Sequence, residues 1–272
     1  MVLRRRYALP QLRGHHGFGL HRRRTADGQH QGYKSGNFFF TEGESRYTYY
    51  TRSYAGVDPE TGESLWYKYN YKKKADGSGN ELDDNGNPIV ESIGTTKTYS
   101  EADYFMVGDV LPDVYGGFGT SVSWQGIDFS VDFQYQLGGK VYDSQYAQLM
   151  TLGTTGGYGL HVDLLDAWSA TNTTSNIPRL QYGDTYMAGA SDRFLTSASY
   201  LSLQNITLGY TLPKKWTTKI GIQKVRFYCV ADNVWVWSKR QGLDPRVSIT
   251  GTSSQGYYSP IRTISGGLTV TF

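Results

Sequence analysis

The sequence predicts an all-β, antiparallel fold, and three observations carry that prediction. The chain ends in Leu268-Thr269-Val270-Thr271-Phe272, where apolar and polar side chains alternate strictly. Phe118 to Trp124 and Ile127 to Leu137 alternate in the same way on either side of Gln125-Gly126. Aromatic residues make up 15% of the chain and there are 33 glycines, a composition of strands and turns rather than helices. A strand has a side-chain period of two, so each alternating run gathers its apolar residues on one face. That face meets either a protein core or the acyl chains of a bilayer. The polar face is correspondingly either wet or the lining of an aqueous lumen.

Composition narrows the solvent. Apolar residues are 38% of the 272, low for a globular core of this size, while the 23 tyrosines suit membrane interfaces and sugar-binding surfaces alike. A mean hydropathy of -0.50 excludes a helical membrane protein, and no apolar run approaches the ~18 residues of a spanning helix. A membrane barrel stays open, because its strands need only ~9–11 residues and are half polar. Cys229 is the only cysteine, so no intrachain disulfide forms and a cysteine-based metal site is not expected. A formal net charge of +3 is too small to argue for nucleic acid, and nothing implies a cofactor.

Residues 1–32 differ in kind from the rest. They hold Arg4, Arg5, Arg6, Arg13, Arg22, Arg23 and Arg24, four of the five histidines, and one acidic residue, Asp27. No apolar stretch marks a secretory signal. His15, His16 and His21 could hold a metal and the arginines could form a basic arm, but such tracts bind nonspecifically without a shaped site. The segment reads as disordered or as foreign to the domain, translated out of frame or from a wrong start. A barrel-like sequence in another frame just upstream would support the second reading.

From Ser35 onward strands and turns alternate. Tyr47 to Tyr54 and Leu65 to Tyr71 are strand-prone and flank a turn through Asp58-Pro59-Glu60-Thr61-Gly62. Lys72 to Asn87 is a polar loop with Asn-Gly and Asp-Gly pairs that allow a small hairpin. Phe118 to Leu137 is the clearest hairpin. Its second strand spans about eleven residues, longer than the ~5–6 of globular strands, and carries Asp128 and Asp132 on its polar face. Ser144 to Ser199 reads as irregular, with one helical candidate from His161 to Trp168. In Tyr200 to Leu212 the apolar phase slips from odd (Leu201, Leu203) to even (Ile206, Leu208, Tyr210), which predicts a β-bulge near Asn205. Val225 to Ala231 is a further strand running into Val234-Trp235-Val236-Trp237. The long connections fall at 72–110, 144–198 and 238–260, the short ones at Gln125-Gly126 and near Pro213. Outer-membrane barrels sort long and short loops to opposite ends in this way.

Several of these segments resemble the SusC/RagA-like TonB-dependent outer-membrane transporters of Bacteroidetes. They are Tyr54-Ala55-Gly56-Val57-Asp58-Pro59-Glu60-Thr61-Gly62, Gly116-Gly117-Phe118 through Leu137-Gly138-Gly139-Lys140-Val141-Tyr142-Asp143, Ile177-Pro178-Arg179, Tyr200 through Pro213, Asp232-Asn233, Asp244-Pro245, Ser259-Pro260-Ile261-Arg262-Thr263 and the terminal Phe272. The resemblance covers roughly Ser35 to Phe272. It implies that 33–272 is the carboxy-terminal part of the family's barrel: an incomplete, curved transmembrane β-barrel with long extracellular loops, in the outer membrane. It further implies uptake of oligosaccharide or peptide cargo, a SusD-like surface lipoprotein as lid, and energy from the TonB system through amino-terminal parts that would lie before this chain. Phe272 would be part of the signal read by the outer-membrane assembly machinery. Such transporters close at about 22 strands around a plug, and this chain supplies about a third of them. Two open edges are not tolerated in hydrocarbon, so the polypeptide alone is expected neither to insert stably nor to transport.

No catalytic or metal site emerges, and residues that bind cargo are not assigned. Asp58, Glu60 and Glu63 are carboxylates of a single turn, whereas glycoside hydrolysis needs two at a fixed spacing across a bond. Asp83-Asp84-Asn85-Gly86-Asn87 lacks the sixth-position glycine and the downstream glutamate of a calcium loop and reads as an Asn-Gly turn. His161 stands alone. Trp235 and Trp237 suit an interfacial aromatic girdle or a sugar-stacking surface. A secreted carbohydrate-binding β-sandwich is the main alternative to the transporter, and a β-rich surface enzyme is a further class.

Overall fold

The computed structural model describes the backbone of residues 2–7 and 23–24, and residues 31–152, 159–184, 186–240, 242–247, 251 and 258–272. Its strands in chain order are β1 (Val2–Tyr7), β2 (Arg23–Arg24), β3 (Gln31–Ser35), β4 (Phe38–Thr41), β5 (Thr48–Arg52), β6 (Tyr54–Val57), β7 (Ser64–Tyr71), β8 (Val90–Thr96), β9 (Tyr104–Asp109), β10 (Val114–Trp124), β11 (Ile127–Leu137), β12 (Lys140–Tyr142), β13 (Leu195–Ser197), β14 (Tyr200–Thr211), β15 (Lys224–Ser238) and β16 (Thr263–Thr271). The two short α-helices are α1 (Ser144–Leu149) and α2 (Lys214–Thr217).

The long alternating runs make one open antiparallel sheet, ordered β1-β10-β11-β14-β15-β16, which we call the wall. Gln125 and Gly126 both take positive φ, 48° and 88°. That is the two-residue hairpin geometry whose twist matches the flanking strands, so Trp124 pairs directly with Ile127. The predicted bulge is present. Phe133 pairs with Leu203 and Asp132 with Asn205, leaving Gln204 as the extra residue. The slip keeps Leu203 and Ile206 on the same face of the sheet despite their opposite parity. The β15 strand is longer than its sequence suggests. It runs unbroken through Trp237 because Asn233 absorbs the matching irregularity at φ 50°, a conformation asparagine tolerates.

The connections sort by length. At one end lie Gln125-Gly126, the α2-containing link 212–223 and the terminal Phe272. At the other lie the residues leading into Val114, the stretch 138–199 and the stretch 239–262. Of these, 72–110 is not the loop the sequence suggests, whereas the described residues of 144–194 and 239–262 are short helical turns and irregular chain, as expected. Residues 31–109, with Arg23–Arg24 added at one edge, form two small sheets, β2-β3-β4-β5-β9 and β6-β7-β8, and β12 pairs with β13. The strands Val90–Thr96 and Tyr104–Asp109 fall inside 72–110, which reads as loop because neither segment alternates strictly. Pairing with β7 and β5 makes them strands, as tertiary context often does. The small hairpin expected in 72–87 forms, with bridges Lys73 to Asn80 and Leu82 to Pro88.

A core of Tyr49, Val110, Tyr142, Ala147, Met150, Leu164, Met187 and Phe194 unites these pieces into a cap. Helix α1 lies where the sequence shows no helical periodicity. The Asp143 carboxylate accepts the Tyr146 amide at 2.9 Å and caps it, supplying one of the orphan N–H groups with a partner. The helical candidate at 161–168 is a 3₁₀ helix over Val162–Asp166.

Of residues 1–32, Val2–Tyr7 lies antiparallel beside β10 and Arg23–Arg24 beside β3. The sequence shows no strand periodicity there. A sheet edge offers unpaired N–H and C=O groups that any extended segment can satisfy, whatever its composition. His15, His16 and His21 lie outside the described residues.

Candidate functional site

Register turns the alternating strands into apolar rows across the wall. Trp124, Ile127, Tyr210, Phe227 and Leu268 form one row, and Val122, Phe129, Leu208 and Cys229 the next. Val131, Ile206, Ala231 and Ile264 follow, then Phe118, Phe133, Leu203 and Trp235, then Tyr135, Leu201 and Trp237. The residues of these rows touch one another within the sheet, as in the Phe118–Phe133 stack at 5.0 Å. They are not covered from outside: Phe129 is 39% exposed, Leu208 52% and Trp235 52%. A sandwich would seal this face under a second sheet, and none of the described residues does so. Ten residue steps separate Ile127 from Leu137. At ~3.4 Å per step and a tilt of ~40° they rise ~26 Å, close to the ≈25 Å apolar band of a membrane barrel. Trp124 and Tyr210 stand near one end of that band and Trp235 and Trp237 near the other, the two tryptophan rings 6.5 Å apart. Phe272 projects 81% exposed just past β16, at the short-turn end.

The opposite face is polar and cross-linked. Asn205 donates to Asp232 at 2.7 Å and receives Thr207 at 2.9 Å. Arg226 reaches from β15 across β14 to Asp128 on β11, with Nε 3.1 Å from Oδ1 and a second contact from Nη2 to Oδ2. Gly209 is the strand residue they pass over. A Cβ there would sit 2.4 Å from the Asp128 carboxylate and 2.5 Å from the Arg226 guanidinium, so only glycine lets the pair lie flat.

Where this face meets the cap, Asp244 and Arg246 form a bidentate ion pair, with Nε–Oδ1 at 2.9 Å and Nη2–Oδ2 at 2.7 Å. Their side chains are only 8% and 11% exposed. Arg246 Nη1 also donates to Ser202 Oγ at 2.8 Å, fastening the 239–262 connection to β14. Beside the pair is a pocket of about 390 Å³ whose lining includes Gln134, Gln136, Lys140, Gln204, Asn233 and Arg246. Gln204 Nε2 donates to Gln134 Oε1 at 2.9 Å and to Ser202 Oγ at 3.0 Å. None of these lining residues stands out in the sequence. The one available signal is the phase slip, which marks the neighbourhood of Gln204.

The carboxylates of the 58–63 turn do not converge on a site. Asp58 Oδ1 accepts the amides of Glu60 at 2.8 Å and Thr61 at 3.3 Å, Lys97 bridges Asp58 and Glu63 at 2.5 and 3.1 Å, and Arg179 meets Glu63 at 3.2 Å. This is a pinned turn. The Lys97 hydrogen bond, then the Glu60 amide, hold the Asp58 carboxyl down at about 2. Because its folded value lies below its ordinary 3.8, its contribution to the turn is complete above that value and lost as pH falls through the folded one. Protection of the Glu60 and Thr61 amides, relative to their intrinsic exchange rates, should therefore fall between about pH 4 and pH 2, and Lys97→Met should move that onset upward. Unchanged protection across this range would disprove the pinning.

Asp83 behaves likewise as a turn residue. Its carboxylate accepts the Asn85 and Asn87 amides at 2.9 and 2.8 Å, with Gly86 at φ 78°. The His161 ring caps its 3₁₀ helix through the Asp163 amide at 3.2 Å and meets Tyr146 edge-on at 4.7 Å. Among the described residues no group of three or more His, Cys, Asp or Glu is placed to hold a metal.

No family model matches the sequence. The chain is similar to TonB-dependent receptor P3 of Formosa agariphila, 27% identical over 231 residues that cover 78% of this chain and 22% of that protein. It is also similar to TonB-dependent receptor SusC of Bacteroides thetaiotaomicron, 30% identical over 171 residues, 61% of this chain and 16% of that one. Among solved structures it resembles the RagAB peptide transporter, with a TM-score of 0.68 at 24% identity over 94% of this chain and 25% of that chain. The RagAB peptide importer in its open-open state gives 0.65 over 94% and 24%. The structural likeness is one of fold. The chain spans about a fifth of the length of the curated relatives it matches.

Proposed function

We propose that this chain, which is similar to SusC/RagA-like TonB-dependent receptors over the length it spans, forms wall and cap of an outer-membrane transporter for oligosaccharides or peptides. The observation that carries the reading is the set of exposed apolar rows on one wall face, backed by a hydrogen-bonded polar face. The apolar rows meet lipid, the polar face borders the aqueous passage, and the cap stands on the extracellular side. The chain contributes structure and passage lining and is not an enzyme. A SusD-like lipoprotein covers the cap, and the TonB system acts through other parts of the receptor. Phe272 presents the wall to the assembly machinery, and residues 1–32 are foreign to the family's barrel, Val2–Tyr7 standing on β10 in the place of a native barrel strand.

Among the described residues, an open wall of six strands leaves the outer edges of β1 and β16 unpaired, and hydrocarbon offers those backbone groups no partners. Expressed alone behind a secretion signal, the chain should therefore stay extractable from membranes by carbonate or urea, migrate identically with and without boiling, and move no cargo. A heat-modifiable, extraction-resistant product would contradict this.

A further inference from the structure

We infer that the pocket between wall and cap is a saccharide subsite that prefers neutral or anionic sugar units to cationic ones. The inference rests on the transporter reading and names which of its two cargo classes this part of the passage takes. The pocket, about 390 Å³, lies in the usual range for small-ligand sites and fits one or two sugar units. The β-bulge builds it. Gln204 is the residue excluded from the ladder, and bulges re-aim side chains in this way. Its amide nitrogen is directed onto Gln134 and Ser202, which leaves the Gln134 nitrogen and the Gln204 carbonyl oxygen for a ligand. Gln136 and Asn233 use their amide nitrogens on the carbonyls of Ala198 and Ile261, so their carbonyl oxygens are also available. The site thus presents one amide donor and three acceptors on a rigid sheet face. A sugar hydroxyl donates and accepts at once and can satisfy such a mixed set.

Charge sets the preference. The Arg246 charge is matched by Asp244. The Lys140 ammonium bonds a carbonyl, that of Val107, and no carboxylate is among the described lining residues. Among those residues the pocket therefore carries one uncompensated positive charge, which repels an amino sugar and attracts a uronate. A peptide is the poorer match. Peptides are commonly captured by strand addition at an open sheet edge, whereas β11 and β14 are interior strands with a neighbour on both sides.

The test uses the chain completed by the remainder of the receptor barrel in detergent micelles, so that no edge is open, with its heat-modifiability and β-sheet circular dichroism verified for every variant, titrated calorimetrically with four probes. Cellotetraose and tetragalacturonate should saturate, each at least about tenfold tighter than a fully deacetylated chitosan tetramer, and tetra-alanine should not saturate. Gln204→Ala and Gln134→Ala should each weaken both sugars by about tenfold. Lys140→Gln should bring the uronate down to the affinity of the neutral sugar. Equal binding of the amino sugar, binding of tetra-alanine with the same dependence on Gln204, or no sugar saturation by about 10 mM would overturn the inference. Failure of the wall reading would appear instead in the membrane experiments, which contain no sugar.

Discussion

Val131→Arg should destabilise the assembled wall by about 2–4 kcal/mol, the cost of a cation facing lipid near the bilayer midplane, while Ser130→Arg should change it by less than about 0.5 kcal/mol. The two positions are adjacent on β11, so backbone, strand propensity and chain location are held constant. They differ only in face. Val131 belongs to the middle apolar row with Ile206 and Ala231, and Ser130 pairs with Ser121 and Thr207 on the polar face. The measurement is a urea titration of the heat-modifiable form in liposomes, with the remainder of the receptor barrel supplied so that no edge is open. A soluble sandwich would also suffer at Val131, but it would do so without lipid and without dependence on depth. Leu137→Arg at the end of the band separates the two accounts. Near the interface the lipid cost falls to about 0–1 kcal/mol, whereas burial in a protein core would keep it high. Equal losses at positions 131 and 137 would sink the lipid-facing assignment.

What could be read from the sequence is what is encoded locally. The wall strands announce themselves because period-two alternation over about ten residues fixes a face without reference to any partner. The bulge at Gln204 was legible for the same reason, since a change of parity within one strand needs an extra residue somewhere. The sorting of long and short connections followed once the strands were placed. The cap was not legible. Its core draws Tyr49, Val110, Met150, Met187 and Phe194 from segments far apart in the chain, and no window of sequence contains that agreement. The strands β8 and β9 lack strict alternation, and α1 is too short for periodicity to show, so Asp143 as its cap was the one local clue. The pocket is a further step removed. Gln134 and Gln136 look like any polar-face residues until the pairing with β14 brings Gln204 beside them. Asp58 and Asp83 are legible as turn residues, because turns use an aspartate to bind their own backbone, and each accepts the amides of its own turn.

Asp244→Ala should cost about 3–5 kcal/mol, because it leaves the Arg246 guanidinium buried without its counter-charge. The pair's side chains are about nine-tenths buried, so solvent screening does little to soften the loss, unlike the exposed Lys97 bridges of the 58–63 turn. The geometry also explains where the loss appears. Arg246 holds the 239–262 connection to the wall through Ser202, which is itself fully buried, and Arg240 in the same connection lies 3.4 Å from the Asp143 carboxylate that caps α1. Releasing Arg246 therefore frees a connection that touches both wall and cap core, and proteolysis or amide exchange should rise there before β11 or β14 loosens. Replacing both partners together, Asp244→Leu with Arg246→Met, removes the stranded charge and should recover most of the loss, since a buried ion pair is often no more stabilising than apolar residues of similar volume. Chemical denaturation of the chain completed by the remainder of the receptor barrel measures both variants. A single-mutant cost below about 1 kcal/mol, the scale of an exposed pair, would mean that the connection hydrates Arg246 on release and that the latch does not hold cap to wall.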